Sequence, residues 1–168
     1  MEAEEVLQRY AAGQRNFCGV NLQGIYMRGV NLRGVNLSWA DLSKASLMDV
    51  NLNEADLRGT CFKESFLILA NLTEADLSYA NFTSAYLTLA NLSQTNLNQT
   101  NFTKANLTKA NLTGARYLIS TNLHQVIITD AIMPDGKVHS KMSLWKKTGI
   151  CLKSWTKNGF YNCSHVKQ

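Results

Sequence analysis

The sequence is short of proline, of charge and of long apolar runs. Pro134 is the one proline in 168 residues, and 17% of the residues are charged. No stretch approaches the roughly 18 apolar residues of a membrane-spanning helix, which excludes an integral helical membrane protein. The opening Met1-Glu2-Ala3-Glu4-Glu5 is acidic and has no apolar core, so no secretory leader is expected and the expected location is cytoplasmic. Cys18, Cys61, Cys151 and Cys163 stand far apart with no CxxC pair, and read as buried or incidental thiols of a reducing compartment. His124, His139 and His165 have no partner at metal or triad spacing and read as surface or cap residues. The glycines spell no phosphate-cradling loop. No catalytic residue, metal ligand or cofactor is assigned, and the chain is not expected to be an enzyme.

Charge is unevenly spread. Residues 1–136 carry 10 Lys and Arg against 12 Asp and Glu, a balance of −2, whereas residues 137–168 carry seven lysines and no acid. The basic character belongs to the tail.

What the sequence has in abundance is a period of five. Every fifth residue from Phe17 to Tyr117 is large and apolar or aromatic, through Leu22, Met27 and Leu32 to Leu107 and Leu112. The spacing then slips by one residue near Leu118–Ser120, and Leu123, Ile128 and Met133 resume it, giving twenty-four repeats. Two positions before the large residue stands a small one, as in Ala40, Ala70 and Ala110. The residue between is usually Asn or Asp. On a helix, five steps of about 100° carry successive leucines around every face; on a strand, five steps of about 180° alternate them between faces. Neither buries them together. The pattern requires a chain that turns a corner every five residues and keeps the small and large positions inward, which is a solenoid.

The run Ala-Asn-Leu-Thr-Glu-Ala-Asp-Leu-Ser-Tyr-Ala-Asn-Phe at 70–82 resembles the pentapeptide-repeat family, and the resemblance covers about 117 of the 168 residues. It implies an all-β solenoid, a right-handed quadrilateral β-helix with four repeats per coil and about six coils. A period of twenty is also readable from the residues. Phe62, Phe82 and Phe102 are expected to stack inside, and Asn31, Asn51, Asn71, Asn91 and Asn111 outside as an amide ladder.

Three regions are expected: a capping α-helix at 1–13, the β-helix at 14–136 and a basic tail at 137–168. Val6, Leu7 and Tyr10 share one helical face ahead of Gly13. The runs 7–17 and 131–136 resemble the caps of cyanobacterial members of the family, the heterocyst-differentiation regulator's subgroup included. In the tail, Met142, Trp145, Leu152 and Trp155 would share a face if the segment were helical.

Two acidic pairs twenty residues apart, Asp56 with Asp76 and Glu54 with Glu74, are expected to stack on neighbouring coils, which would raise a carboxyl pKa. Convex outer faces offer them no pocket. The clearest functional signal is on the side carrying Met27, Leu47, Leu67, Leu87 and Leu107. There the residue before the large one is Tyr26, Ser46, Phe66, Tyr86 and Asn106, and the positions after it include Met48, Ile68, Leu69 and Leu89. Tyr26, Met48, Phe66, Ile68, Leu69, Tyr86 and Leu89 are therefore the expected partner-binding residues, because soluble proteins seldom leave a contiguous apolar patch wet. The expected occupant is a protein partner, a second copy of the chain included. The alternative is a basic tail, with Trp, Phe and Tyr among its lysines, anchoring to nucleic acid or anionic membrane. Topoisomerase modulation by DNA mimicry, which the resemblance also suggests, requires a strongly negative rod. Here no acid stands between Asp76 and Asp130.

Overall fold

A computed structural model describes residues 1–139 and, beyond them, two short strands at Trp155–Thr156 and Gly159–Phe160. Helix α1 spans Ala3–Ala11, with Glu4 and Glu5 in its first turn and Arg9 in its last, each at the end whose dipole favours it. Glu5 and Arg9 pair at 3.0 Å across one turn. The chain leaves α1 through Gly13 at φ +93°. Val6 is buried in one core with Phe17 and Leu22, Leu7 and Tyr10 pack at its edge, and the Tyr10 hydroxyl donates to the Arg33 carbonyl at 2.8 Å.

From Asn16 onward the chain pairs with itself at a constant offset. Asn16 bridges Asn36 in parallel, Asn21 bridges Asp41, Tyr26 bridges Ser46, and Asn31 bridges Asn51, always twenty residues on. Four pentapeptides thus make one coil, and its four sides stack into four ladders. Each side contributes a single bridging residue before the chain turns, so there are no long strands despite the regular pairing.

One repeat shows why the sequence reads as it does. In Asn36–Ala40, the Asn36 N–H donates to the Arg15 carbonyl of the preceding coil, while Leu37 and Trp39 donate to Asp56 and Arg58 of the following one. Ala40 donates across its own corner to Leu37. The fifth amide, that of Ser38, has no backbone acceptor and donates instead to Oδ1 of Asn36 at 2.9 Å. All five donors are used. The Asn or Asp of the repeat is therefore an Asx turn that completes the backbone hydrogen bonding, and it is a folding residue rather than a surface choice.

The corner residue adopts a left-handed conformation. Glycine holds it throughout the first coil, but Trp39, Lys44, Leu69, Tyr79 and Leu89 hold it at φ near +60° elsewhere. That costs roughly 1–2 kcal/mol for each L-residue, and the coil-to-coil bonds on both sides of the corner offset it.

Inside, Phe62 stacks on Phe82 at 4.7 Å and 8°, and Phe82 on Phe102 at 5.0 Å and 18°, as the spacing implied. The small positions are filled by alanine, by valine or isoleucine in the early coils (Val20, Ile25, Val30, Val35 and Val50), or by Thr60, Ser65, Thr95 and Thr100. Their buried hydroxyls donate to the carbonyls of Leu37, Phe62, Leu92 and Leu77 at 2.6–2.9 Å, and no buried side-chain nitrogen or oxygen among the described residues lacks a partner.

The period slips where it was expected, and the bridge offset changes from Asn96↔Arg116 to Asn101↔Asn122. One inward assignment is corrected. Tyr117 is 56% exposed and left-handed, and Leu118, at 6%, fills the core position. A 3-10 turn at Leu118–Ser120 absorbs the extra residue, and Thr121 anchors it by donating to the Leu97 carbonyl at 3.0 Å.

Strands β1 (Ala131–Ile132) and β2 (Val138–His139) pair antiparallel around the turn at Pro134–Gly136, so the hairpin straddles residue 136. Trp155 lies in β3 (Trp155–Thr156), paired with β4 (Gly159–Phe160), and not on a helix. Aromatic and β-branched residues favour the extended state there. Met142, Trp145 and Leu152 lie outside the described residues.

Candidate functional site

The four ladders share one core and differ in what they show outside. The first runs Asn16, Asn36, Asp56, Asp76, Asn96, Arg116. The second runs Asn21, Asp41, Cys61, Asn81, Asn101, Asn122. The fourth is the asparagine ladder Asn31, Asn51, Asn71, Asn91, Asn111. Two of its rungs are joined by side-chain amides, Asn51 to Asn31 at 3.0 Å and Asn71 to Asn51 at 3.3 Å. Every Asn or Asp in these ladders accepts from the amide two residues on, as Asn71 does from Thr73 at 3.1 Å and Asn111 from Thr113 at 3.0 Å.

The third ladder departs from this rule. It runs Tyr26, Ser46, Phe66, Tyr86, Asn106, Ile127. Only Asn106 makes the Asx bond, to Thr108 at 3.0 Å. The amides of Arg28, Met48, Ile68 and Thr88 have no acceptor among the described residues. In place of the bond the ladder carries aromatic surface: Tyr26 is 69% exposed, Phe66 41% and Tyr86 45%. Phe66 and Tyr86 stack at 4.9 Å and 4°. Leu69 and Leu89 stand exposed at the bordering corner, and Met48 and Ile68 are half-buried beside them. The structure thus brings Phe66, Ile68, Leu69, Tyr86 and Leu89 together on adjoining coils. Tyr26 lies two rungs away across Ser46. The other ladders break the rule only singly, at Cys61 and Arg116; a run of breaks on one face marks a surface shaped by something other than folding.

Sequence reasoning missed the exposed aromatics at another corner. Trp39 and Tyr79 lie on one corner line with Gly59 between them, and a Cβ on Gly59 would sit 2.4 Å from the Trp39 ring. The indole rests on the glycine. Reading every fifth residue from Gly19, the corner series, would have found both.

The expectation for the stacked acids is corrected. Asp56 does bridge Asp76, but its carboxyl pKa is lowered, chiefly by the Arg58 guanidinium, which donates to it at 2.8 and 2.6 Å. An arginine two residues along the same side outweighs a carboxylate one coil away. Cys18 is exposed and Cys61 half-buried, both free and at outward positions flanking Phe17 and Phe62, which leaves the incidental half of the expectation for these two. His124 is exposed. Among the described residues no group of three or more His, Cys, Asp and Glu is placed to hold a metal, and no helix is long and apolar enough to cross a membrane.

Comparison with known proteins agrees with this architecture. The sequence matches the family described as pentapeptide repeats, in 8 copies over residues 16–48, 51–88 and 85–116. No curated protein matches it closely enough to add to this. A pentapeptide-repeat protein from the cyanobacterium Cyanothece 51142 is 27% identical, with 80% of this chain and 97% of that one covered and a TM-score of 0.55. HetL, a pentapeptide-repeat protein involved in heterocyst differentiation regulation in Nostoc sp. strain PCC 7120, is 26% identical over 83% of this chain and all of its own, with a TM-score of 0.32. The family match across most of the rod, on a twenty-residue register of parallel bridges, means that this chain belongs to the pentapeptide-repeat family, whose fold is the right-handed quadrilateral β-helix.

Proposed function

We propose that the protein is a non-enzymatic interaction module. Its rod of about six coils, capped by α1, presents the Tyr26–Phe66–Tyr86 face to a protein partner. The observation that carries this reading is the third ladder, where the repeat forgoes its Asx bonds and exposes stacked aromatics and leucines instead. A face held by coil-to-coil bonds at every rung loses little conformational entropy on binding, so a modest apolar area suffices for specific recognition. The non-enzymatic reading is supported by the placement of the titratable groups on outward positions, with Asp56 tied to Arg58 and Glu54 to Arg33. A regulatory role in the cytoplasm of a cyanobacterium is part of the same proposal. It rests on the cap-like runs at 7–17 and 131–136 and on the cyanobacterial relative.

The test compares the full chain with its Phe66→Asn/Tyr86→Asn variant as baits in a cyanobacterial extract. The expected result is a protein retained by the first and lost by the second. An identical set on both, or nothing on either, overturns the reading.

A further inference from the structure

We infer that the partner on this face is a second copy of the same chain, docked face to face and antiparallel about a two-fold axis that crosses the rod between Phe66 and Tyr86. This rests on the reading of the third ladder as an interaction surface. It is carried by a symmetry in the order of residues along that surface.

The ladder has six rungs, and its midpoint lies between the third and fourth. A two-fold axis at that midpoint, lying in the interface across the rod, exchanges rung one with six, two with five, and three with four. Tyr26 then meets Ile127 of the other copy, Ser46 meets Asn106, and Phe66 meets Tyr86. Apolar meets apolar and polar meets polar at every rung, although nothing in the folding of one chain requires a palindrome.

The bordering corner repeats the match independently. Its residues in order are Gly29, Asp49, Leu69, Leu89, Lys109 and Asp130. The same axis sets Leu69 against Leu89 and Asp49 against Lys109. Asp49 and Lys109 are both exposed, and neither has an ionic partner among the described residues. Because the interface is isologous, each contact occurs twice. The opposite border sets Lys44 against Lys104, a like-charged contact that also occurs twice. There Glu64, which pairs with Lys63 at 3.6 Å, stands one coil from Lys44 on the same border.

A parallel two-fold matches each rung with itself and sets Asp49 against Lys44, so the two arrangements are separated at the other corner contacts. The parallel one sets Leu69 against Glu64 and Lys109 against Lys104, burying a carboxylate on a leucine and opposing two cations. The charge of the whole rod also favours antiparallel docking. No acid stands between Asp76 and Asp130, where Lys104, Lys109 and Arg116 lie, while ten acids and seven basic residues lie in 1–76. Antiparallel rods lay the basic half of one on the acidic half of the other.

Five spacings of about 4.8 Å make this strip only about 24 Å tall. It is therefore smaller than the roughly 800 Å² per partner of a standard interface, and the dimer is expected to assemble in the micromolar range.

The test is sedimentation equilibrium of the full chain up to about 200 µM, a ceiling set by that small interface. The wild type is expected to approach twice its monomer mass. Asp49→Lys alone and Lys109→Asp alone should each weaken the dimer at least about tenfold, and the double reversal should restore it to within about threefold. A wild type that stays monomeric overturns the inference. So does a dimer indifferent to both single reversals, or a double reversal that fails to restore association. Loss of the inference on any of these grounds leaves the interaction reading standing, because that reading is decided by whether Phe66→Asn/Tyr86→Asn loses a retained protein.

Discussion

The asparagine face and the aromatic face of the rod stand on the same core, the same corners and the same coil-to-coil bonds. On the asparagine face the outward residue serves the fold: each Oδ1 accepts an amide that has no other acceptor, and the amides of Asn51 and Asn71 link neighbouring coils. On the aromatic face the same position leaves those amides without an acceptor among the described residues and exposes Tyr26, Phe66 and Tyr86. In a repeat protein the inward positions are nearly invariant by necessity. Function is written in the outward positions, and it is most visible where the outward residue has stopped helping the fold.

The largest expected effect concerns what the faces share. Phe82→Ala removes the middle ring of the internal stack and should cost about 3–5 kcal/mol in a denaturant titration, with both faces lost together. Loss of association with stability intact would instead mean that the core is not common to both. Next comes Asn71→Leu, which breaks the Thr73 Asx bond and an amide rung. About 1–2 kcal/mol should be lost, read from the urea midpoint, and no loss would mean the amide ladder is decorative. Gly59→Ala, at a third site, must displace the Trp39 ring and carry a Cβ at φ +66°. About 1–2 kcal/mol is expected, with a change in Trp39 fluorescence. Smallest is the response to acid. Because Arg58 lowers the Asp56 pKa in the folded state, this pair's stabilisation is present above pH about 4 and lost as pH falls through the lowered value. Asp56→Asn should flatten that part of the stability–pH curve, and since both partners are partly exposed the change is slight.

Much of this was legible in the sequence because a five-residue period admits only one kind of structure. The phenylalanine stack, the asparagine ladder and the aromatic column all followed from counting in twenties. Tyr117 was misplaced because the slip sets it beside Leu118, and periodicity alone does not choose between two adjacent large residues. Trp39 and Tyr79 stand at corner positions, which are usually polar or glycine, so the five-residue period gives them no weight. Asp56 stacks one coil from Asp76, but Arg58 on its own side is the nearer charge, and counting in twenties does not weigh the two. The Asx bond was hidden for a different reason. The pattern shows that Asn and Asp recur, but only the complete set of amide partners shows that each fills a vacancy, and hence what its absence on one face means.

The most direct test is the urea unfolding of Phe66→Asn/Tyr86→Asn. The substitutions remove one aromatic stack, worth about 0.5–1.5 kcal/mol, and allow two Asx bonds of about 1 kcal/mol each. If the aromatic face exists for binding, the variant should be as stable as the wild type or slightly more so. A loss of more than about 2 kcal/mol would contradict the account and make the aromatic column part of what holds the rod together.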